Sequence, residues 1–526
     1  MGENSGKLQG DTPTPTRTSR AIAGMITSLL QYVLLMALQF ALAPVVLRIA
    51  GQEVLGAYSF LMQVVAWAAL TDLGFGVATG RYLAQAHGID DERKRFCAIF
   101  TTSRTFYLGS NIAFALVILI VGWKVGSLMP MSPGVESQAR LFLYLLATWV
   151  AIRVPVSLYG DALIATQNLA AVNMIVALGS VLRLLLSLLT VVLGAGLIGL
   201  MMANVVAEVA TFIVERAWYR KLYPSDKFGW GISDRALFRE MLGFGLIYMV
   251  MIVAGRLSAS TDSIIVGYLH GVAAVSIYYT SQMPGTILYQ LIWKLTDNAA
   301  PALNELYARR AISQLTGAYL RLLRYSLLLV IPLAIGLLGF NRDAITLWVG
   351  RAQYASALLT VALAVFAITQ VINHLNAIVM VAYGDVRVMS ICGICGGIVK
   401  VILAFWLGRT IGLAGVMIAN ALVDVPGLVY FSYRVWRLLG LPVRQVWRHA
   451  VAPTLRASIL TLLVLIMVLV QPPPATWPWF LLWVSIFALA WVVGAGGAGL
   501  FPTERDQLRL YVKRTLSLGS EKASRF

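Results

Sequence analysis

Fourteen stretches of this 526-residue chain are apolar and long enough, at roughly 20 residues, to cross a bilayer as helices. They fall at about Ala21–Ala50, Tyr58–Val77, Phe96–Trp123, Leu141–Tyr159, Leu169–Leu193 and Ile198–Tyr219, then at Leu242–His270, Val272–Trp293, Leu320–Phe340, Tyr354–Tyr383, Val388–Leu407 and Ile411–Val435, and last at Val451–Val470 and Trp477–Leu500. Lipid offers no partner for backbone N–H and C=O groups, so such stretches must be helical or form closed barrels. The expected fold is an all-α polytopic membrane protein of about 14 transmembrane helices.

Composition agrees. A 59% hydrophobic, 12% charged chain is too apolar for a soluble globule. The net charge of +18 would suggest nucleic acid in a soluble protein. Here it belongs to the loops, because Lys and Arg collect on the cytoplasmic side and near anionic headgroups. Nucleic acid is therefore not an expected partner. Arg81, Arg93, Lys94 and Arg95 follow the second segment, six basic residues from Arg216 to Arg239 follow the sixth, and Arg309 and Arg310 the eighth. Arg434, Arg437, Arg444 and Arg448 follow the twelfth, so both termini are expected in the cytoplasm. Residues 1–19 read as a disordered tail, 220–240 as a basic cytoplasmic linker and 501–526 as a basic tail. Cys97, Cys392 and Cys395 lie in or beside apolar runs and define no disulfide framework.

The first twelve segments repeat. Asn204 and Glu208, in Ile198-Gly-Leu-Met-Met-Ala-Asn-Val-Val-Ala-Glu, reappear as Asn420 and Asp424 at one offset (420 − 204 = 424 − 208 = 216). At the front of each unit Gly51 and Tyr58 match Gly271 and Tyr278 (271 − 51 = 278 − 58 = 220). Six spans per unit place both units the same way up, giving lobes at 20–219 and 241–437, with 438–500 as two added helices. Transporters built this way bind between the units and rock one against the other.

Val46-Leu-Arg-Ile-Ala-Gly-Gln-Glu-Val-Leu-Gly-Ala-Tyr-Ser-Phe and Thr71-Asp-Leu-Gly-Phe-Gly-Val-Ala-Thr-Gly-Arg-Tyr-Leu-Ala resemble the first-to-second-helix signature of polysaccharide transporters in the multidrug/oligosaccharidyl-lipid/polysaccharide exporter superfamily. Asp262-Ser-Ile-Ile-Val-Gly, a short turn and Tyr278 are similar to its seventh-helix signature. The resemblance implies a Wzx-like flippase of a bacterial inner membrane. Such a protein moves an undecaprenyl-diphosphate-linked oligosaccharide from the inner to the outer leaflet for O-antigen or exopolysaccharide export. It further implies membrane lipids as partners, together with a polymerase and a chain-length regulator of the same pathway. The added helix pair also occurs in lipid II flippases, but Ala21–Val46 lacks their arginines, which argues against a peptidoglycan precursor. The alternatives are a drug or metabolite antiporter of the same architecture and a membrane glycan polymerase. Neither a cofactor nor a metal is expected, since His87, His270, His374 and His449 are scattered without ligand spacing.

An anionic diphosphate needs cations at membrane depth. Leu242–His270 carries Arg256 and Asp262, and Arg256 is the leading candidate because its counterpart segment, Ala21–Ala50, has no charge before Arg48. Lys294, Arg183 and Arg153 follow, the last beside Pro155, which can kink its helix. The carboxylates Asp262, Glu208, Asp424, Asp72 and Asp161 are the candidates for a coupling proton or sodium ion. Asp72 and Asp161 also suit helix ends, and Glu208 and Asp424 suit contacts to Asn204 and Asn420 one turn earlier. Tyr279, Tyr289, Trp293 and Trp348 suit either sugar stacking or interfacial belts.

Overall fold

A computed structural model describes residues 17–87, 93–153, 158–232 and 234–506. The first half comprises α1 (Arg17–Ile49), α2 (Gln52–Ala68), α3 (Phe75–His87), α4 (Arg93–Leu128), α5 (Pro133–Ile152), α6 (Tyr159–Ala165), α7 (Leu169–Val192) and α8 (Gly196–Leu222). The second comprises α9 (Arg235–Ala259), α10 (Asp262–His270), α11 (Val272–Asp297), α12 (Ala300–Ala308), α13 (Ile312–Val349), α14 (Ala357–Ala382), α15 (Val386–Ile411) and α16 (Leu413–Leu438). The added pair is α17 (Ala452–Val470) and α18 (Trp477–Gly494), packed against α13. No strand occurs among the described residues.

Each of the fourteen apolar segments is largely helical over its described residues, and eleven described helices are long and apolar enough to cross a membrane. The segments that fall short have visible causes. The second is interrupted by a 3₁₀ turn at Ala69–Asp72 and by Leu73 and Gly74, both with positive φ. The eighth, α11, is one 26-residue helix made less apolar by inward-facing Ser276, Tyr278, Thr280 and Ser281. The fourth ends with α5 at Ile152, and the proposed kink at Pro155 lies outside the described residues. So do most of the two tails, residues 1–16 and 507–526.

The repeat is visible as geometry. Gly51 and Gly271 occupy equivalent sharp turns at φ +92° and +80°, a region L side chains avoid. Gly196 and Gly412, again 216 apart (412 − 196), start α8 and precede α16 at φ +52° and +76°.

The halves meet at the end bearing the Gly51 and Gly271 turns. Trp348 stacks on Phe40 with ring centroids 4.0 Å apart and donates its indole N–H to the Phe40 carbonyl at 3.0 Å. Gln52 donates to the Ala273 carbonyl at 2.9 Å. Beside them α2 approaches so closely that a Cβ on Gly56 would stand 1.9 Å from the Val272 carbonyl oxygen. That overlap is with backbone, so no rotamer relieves it. Gly56→Val is therefore expected to wedge this end open. The check is maleimide labelling of a cysteine placed at Ala273 in a chain whose three native cysteines are removed. Labelling should rise severalfold, and unchanged labelling would mean that the seal does not depend on this approach.

The stretch between the halves is shorter and more ordered than a free linker. α8 runs on to Leu222, and Arg235 already opens α9, capped by the Asp234 side chain on Ala236 and Leu237 N–H. Between them Asp226 pairs with Arg93 and accepts from Tyr219 Oη at 2.5 Å. Buried Arg104 of α4 donates to the Phe228 and Gly229 carbonyls and lies 4.0 Å from the Trp230 ring centroid. Thr101 and Thr105 accept from Gly229 and Gly231 N–H at 3.1 and 2.8 Å. The stretch is strapped to the first half.

Candidate functional site

Two adjoining cavities are walled mainly by the first half, the smaller of them closed on one side by Tyr279 of α11. One of about 230 Å³ is walled by Gln39, Tyr58, Ser59, Gln63, Arg183 and Tyr279 among others. The other, about 380 Å³, is walled by Trp149, Arg153, Arg183, Asn204, Glu208 and their apolar neighbours. Met62, Ser180 and Arg183 line both, so the guanidinium of α7 stands in the partition.

The four proposed cations fare differently. Arg153 of the fourth segment forms an ion pair with Glu208 of α8 at 2.7 Å, and Trp149 donates to the other carboxylate oxygen at 2.6 Å. Lys294 sits near the end of α11, 3.6 Å from Asp297, whose other oxygen is 2.7 Å from His374 Nε2. Arg183 and Arg256 are partly buried, and among the described residues neither has an ion pair. Arg256 lines neither first-half cavity, whereas Arg183 lines both. The order of the candidates changes accordingly: Arg183 is a cation free to meet an anion in a cavity.

Leu242–His270 is not one continuous span. It breaks at Ser260 and Thr261, between α9 and α10, so the regular-helix angle between Arg256 and Asp262 does not apply. Trp67 of the first half donates to the Ser260 carbonyl at 2.7 Å, bracing the break. Asp262, first residue of α10, is 2.9 Å from Lys400 of α15 and accepts from Tyr278 and Asn420 at 2.8 and 2.7 Å.

The other carboxylates also find partners across helices. Glu208 and Asp424 do not contact the asparagines one turn earlier, because a side chain in a helix leans toward a neighbour as readily as along its own axis. Glu208 takes Arg153, and Asp424 takes Gln370 of α14 at 2.5 Å. Arg153 and Gln370 are themselves near-equivalent in the repeat (370 − 153 = 217), so one contact is kept in both halves, charged in the first and neutral in the second. Asp72 accepts from Gly74 N–H at 2.8 Å and holds the turn after α2. Asp161 lies in the first turn of α6, next to Gly160, against which the buried Glu215 carboxylate packs. Of the aromatics, Trp348 belongs to the seal and Trp293 stacks on His374 at 4.6 Å, while Tyr279 reaches the first-half cavity.

Lys400, Glu215 and Arg324 are buried charges absent from the expected set. Lys400 carries the signal that marks Arg256, a lone charge inside an apolar run, whereas Glu215 and Arg324 have basic neighbours within one turn and give no such signal.

The model of a family described as polysaccharide biosynthesis protein matches residues 21–307, more than half of the chain. No curated protein matches. Among solved structures, the lipid II flippase MurJ in an inward closed conformation is similar at TM-score 0.68 and 12% identity, over 90% of this chain and 98% of its own. An inward-facing multidrug resistance MATE family transporter of the MOP superfamily is similar at TM-score 0.63 and 17% identity, over 80% and 98%. At such identities the likeness is one of fold, that of a many-helix membrane protein. The chain belongs to the family of polysaccharide biosynthesis proteins.

Proposed function

We propose that this protein is a flippase carrying an undecaprenyl-diphosphate-linked oligosaccharide from the inner to the outer leaflet of the bacterial inner membrane. It works by alternating access and serves exopolysaccharide or O-antigen export. The observation that carries the reading is Arg183, which has no ion pair among the described residues and lines two adjoining, partly polar cavities. It is suited to the diphosphate, while Gln39, Gln63, Asn204 and Tyr58 suit hydroxyl-rich sugars. An apolar groove of about 410 Å³ between α11, α13 and α18, lined by Leu288, Phe340, Phe480 and Phe487, is compatible with a prenyl tail. A cationic drug would meet Arg183 with like-charge repulsion, which disfavours the antiporter reading.

Deleting the gene tests the proposal. The single-repeat lipid-linked unit is expected to accumulate in the inner leaflet and be protected from an impermeant glycosidase or lectin. Accumulation in the outer leaflet would instead point to the polymerase.

A further inference from the structure

The two halves use the same scaffold at one place and fill it differently. In the first, Asn204 donates to Tyr58 Oη at 3.2 Å. In the second, the equivalents Asn420 and Tyr278 both donate to one oxygen of Asp262. Counting by the repeat offsets, Asp262 falls over Leu42 (262 − 220) and Lys400 over Arg183 or Leu184 (400 − 217 and 400 − 216). Leu42, Arg183 and Leu184 all line the smaller of the two cavities. The second half thus has, in the counterpart of a cavity wall, a carboxylate and an ammonium 2.9 Å apart, with Lys400 only 2% exposed.

This pair is not needed to build the fold, because the first half builds the same scaffold with Leu42 where Asp262 stands and so without the pair. Nor is it a cheap source of stability: burying two charges costs several kcal/mol of solvation per ion, and apolar replacements of such pairs are often neutral or stabilising. The oxygens gathered there suit a cation. Beside the Asp262 carboxylate lies Asn420 Oδ1, buried and without a hydrogen-bond partner among the described residues. An orphaned buried acceptor next to a carboxylate is a ligand set with room for positive charge.

We propose that Lys400 is a tethered counter-cation: its ammonium permanently holds, against Asp262, the place in the second half that an exchangeable monovalent cation would otherwise take. The half therefore keeps its charge compensation covalently through the cycle, and Asp262 binds no sodium ion while Lys400 is present. The proposal deepens the transporter reading but its first test does not depend on it.

The test is thermal unfolding of the purified full-length protein in NaCl and in choline chloride at equal ionic strength. The wild type is expected to show the same midpoint in both. Lys400→Ala should be destabilised in choline and recover by about 2–5 °C in NaCl as sodium enters the vacated place. Lys400→Ala with Asp262→Asn should lose that recovery. A sodium-dependent midpoint in the wild type that Asp262→Asn abolishes overturns the proposal, and so does a Lys400→Ala midpoint indifferent to sodium. Should Lys400→Ala fail to fold, Asp262→Leu with Lys400→Leu removes both charges together. That double variant should keep a wild-type midpoint and lose export of the native glycan; full export by it overturns the proposal. Loss of the sodium response with intact inner-leaflet accumulation in the deletion strain would sink this inference and leave the flippase reading standing.

Discussion

Arg183→Ala is expected to lower export of the native glycan about 100-fold while leaving the protein inserted and abundant. A charge-assisted contact to a phosphate contributes up to about 3 kcal/mol, and two decades of affinity correspond to roughly that energy. Folding should be spared, because no ion pair among the described residues is broken by the change. Arg183→Lys keeps the charge but loses the planar fork, so it should recover only part of the activity. Arg153→Ala makes the contrast. It strips Glu208 of its partner, so its first effect should be on protein abundance. The measurement is surface glycan per unit of membrane-inserted protein, and wild-type export by Arg183→Ala would remove this side chain from the mechanism.

The second large effect concerns assembly. Arg324 of α13 is 1% exposed, pairs with Glu504, donates to the His449 carbonyl at 3.0 Å and faces the Phe501 ring at 4.2 Å. It joins the second half to the segments before α17 and after α18. Arg324→Ala leaves the Glu504 carboxylate, only 14% exposed, without its counter-charge, and should cost about 3–5 kcal/mol. The loss should appear as a lowered unfolding midpoint and reduced abundance. Pairing Arg324→Met with Glu504→Gln removes both charges and should restore most of the stability. If the double variant is no better than the single one, packing rather than charge holds this junction.

The helices and their duplication were legible because both rest on properties summed along the chain. Twenty apolar residues identify a span whatever their order, and Asn204 over Asn420 survives as a spacing. What summed hydropathy does not register is a break that costs few apolar residues, such as the Ala69–Gly74 turn or the two residues between α9 and α10. Nor does it supply pairing. Arg153 and Arg183 look alike in the sequence, each a lone arginine in an apolar segment, and only the fold gives one of them Glu208. The asymmetry that recommended Arg256 is real, but the same comparison between halves singles out Asp262 over Leu42, and there the structure supplies a partner in Lys400.

The strapped connection between the halves has a mechanical consequence. Tyr219, Asp226, Gly229 and Gly231 are all bonded within the first half and Asp234 is already committed to the cap of α9, so most of the roughly twenty connecting residues are held to one half or the other. The connection therefore acts as a short crank, with little slack to absorb a swing. Any rotation of one half must be delivered at once to the base of α9, the helix whose far end carries the break beside Asp262.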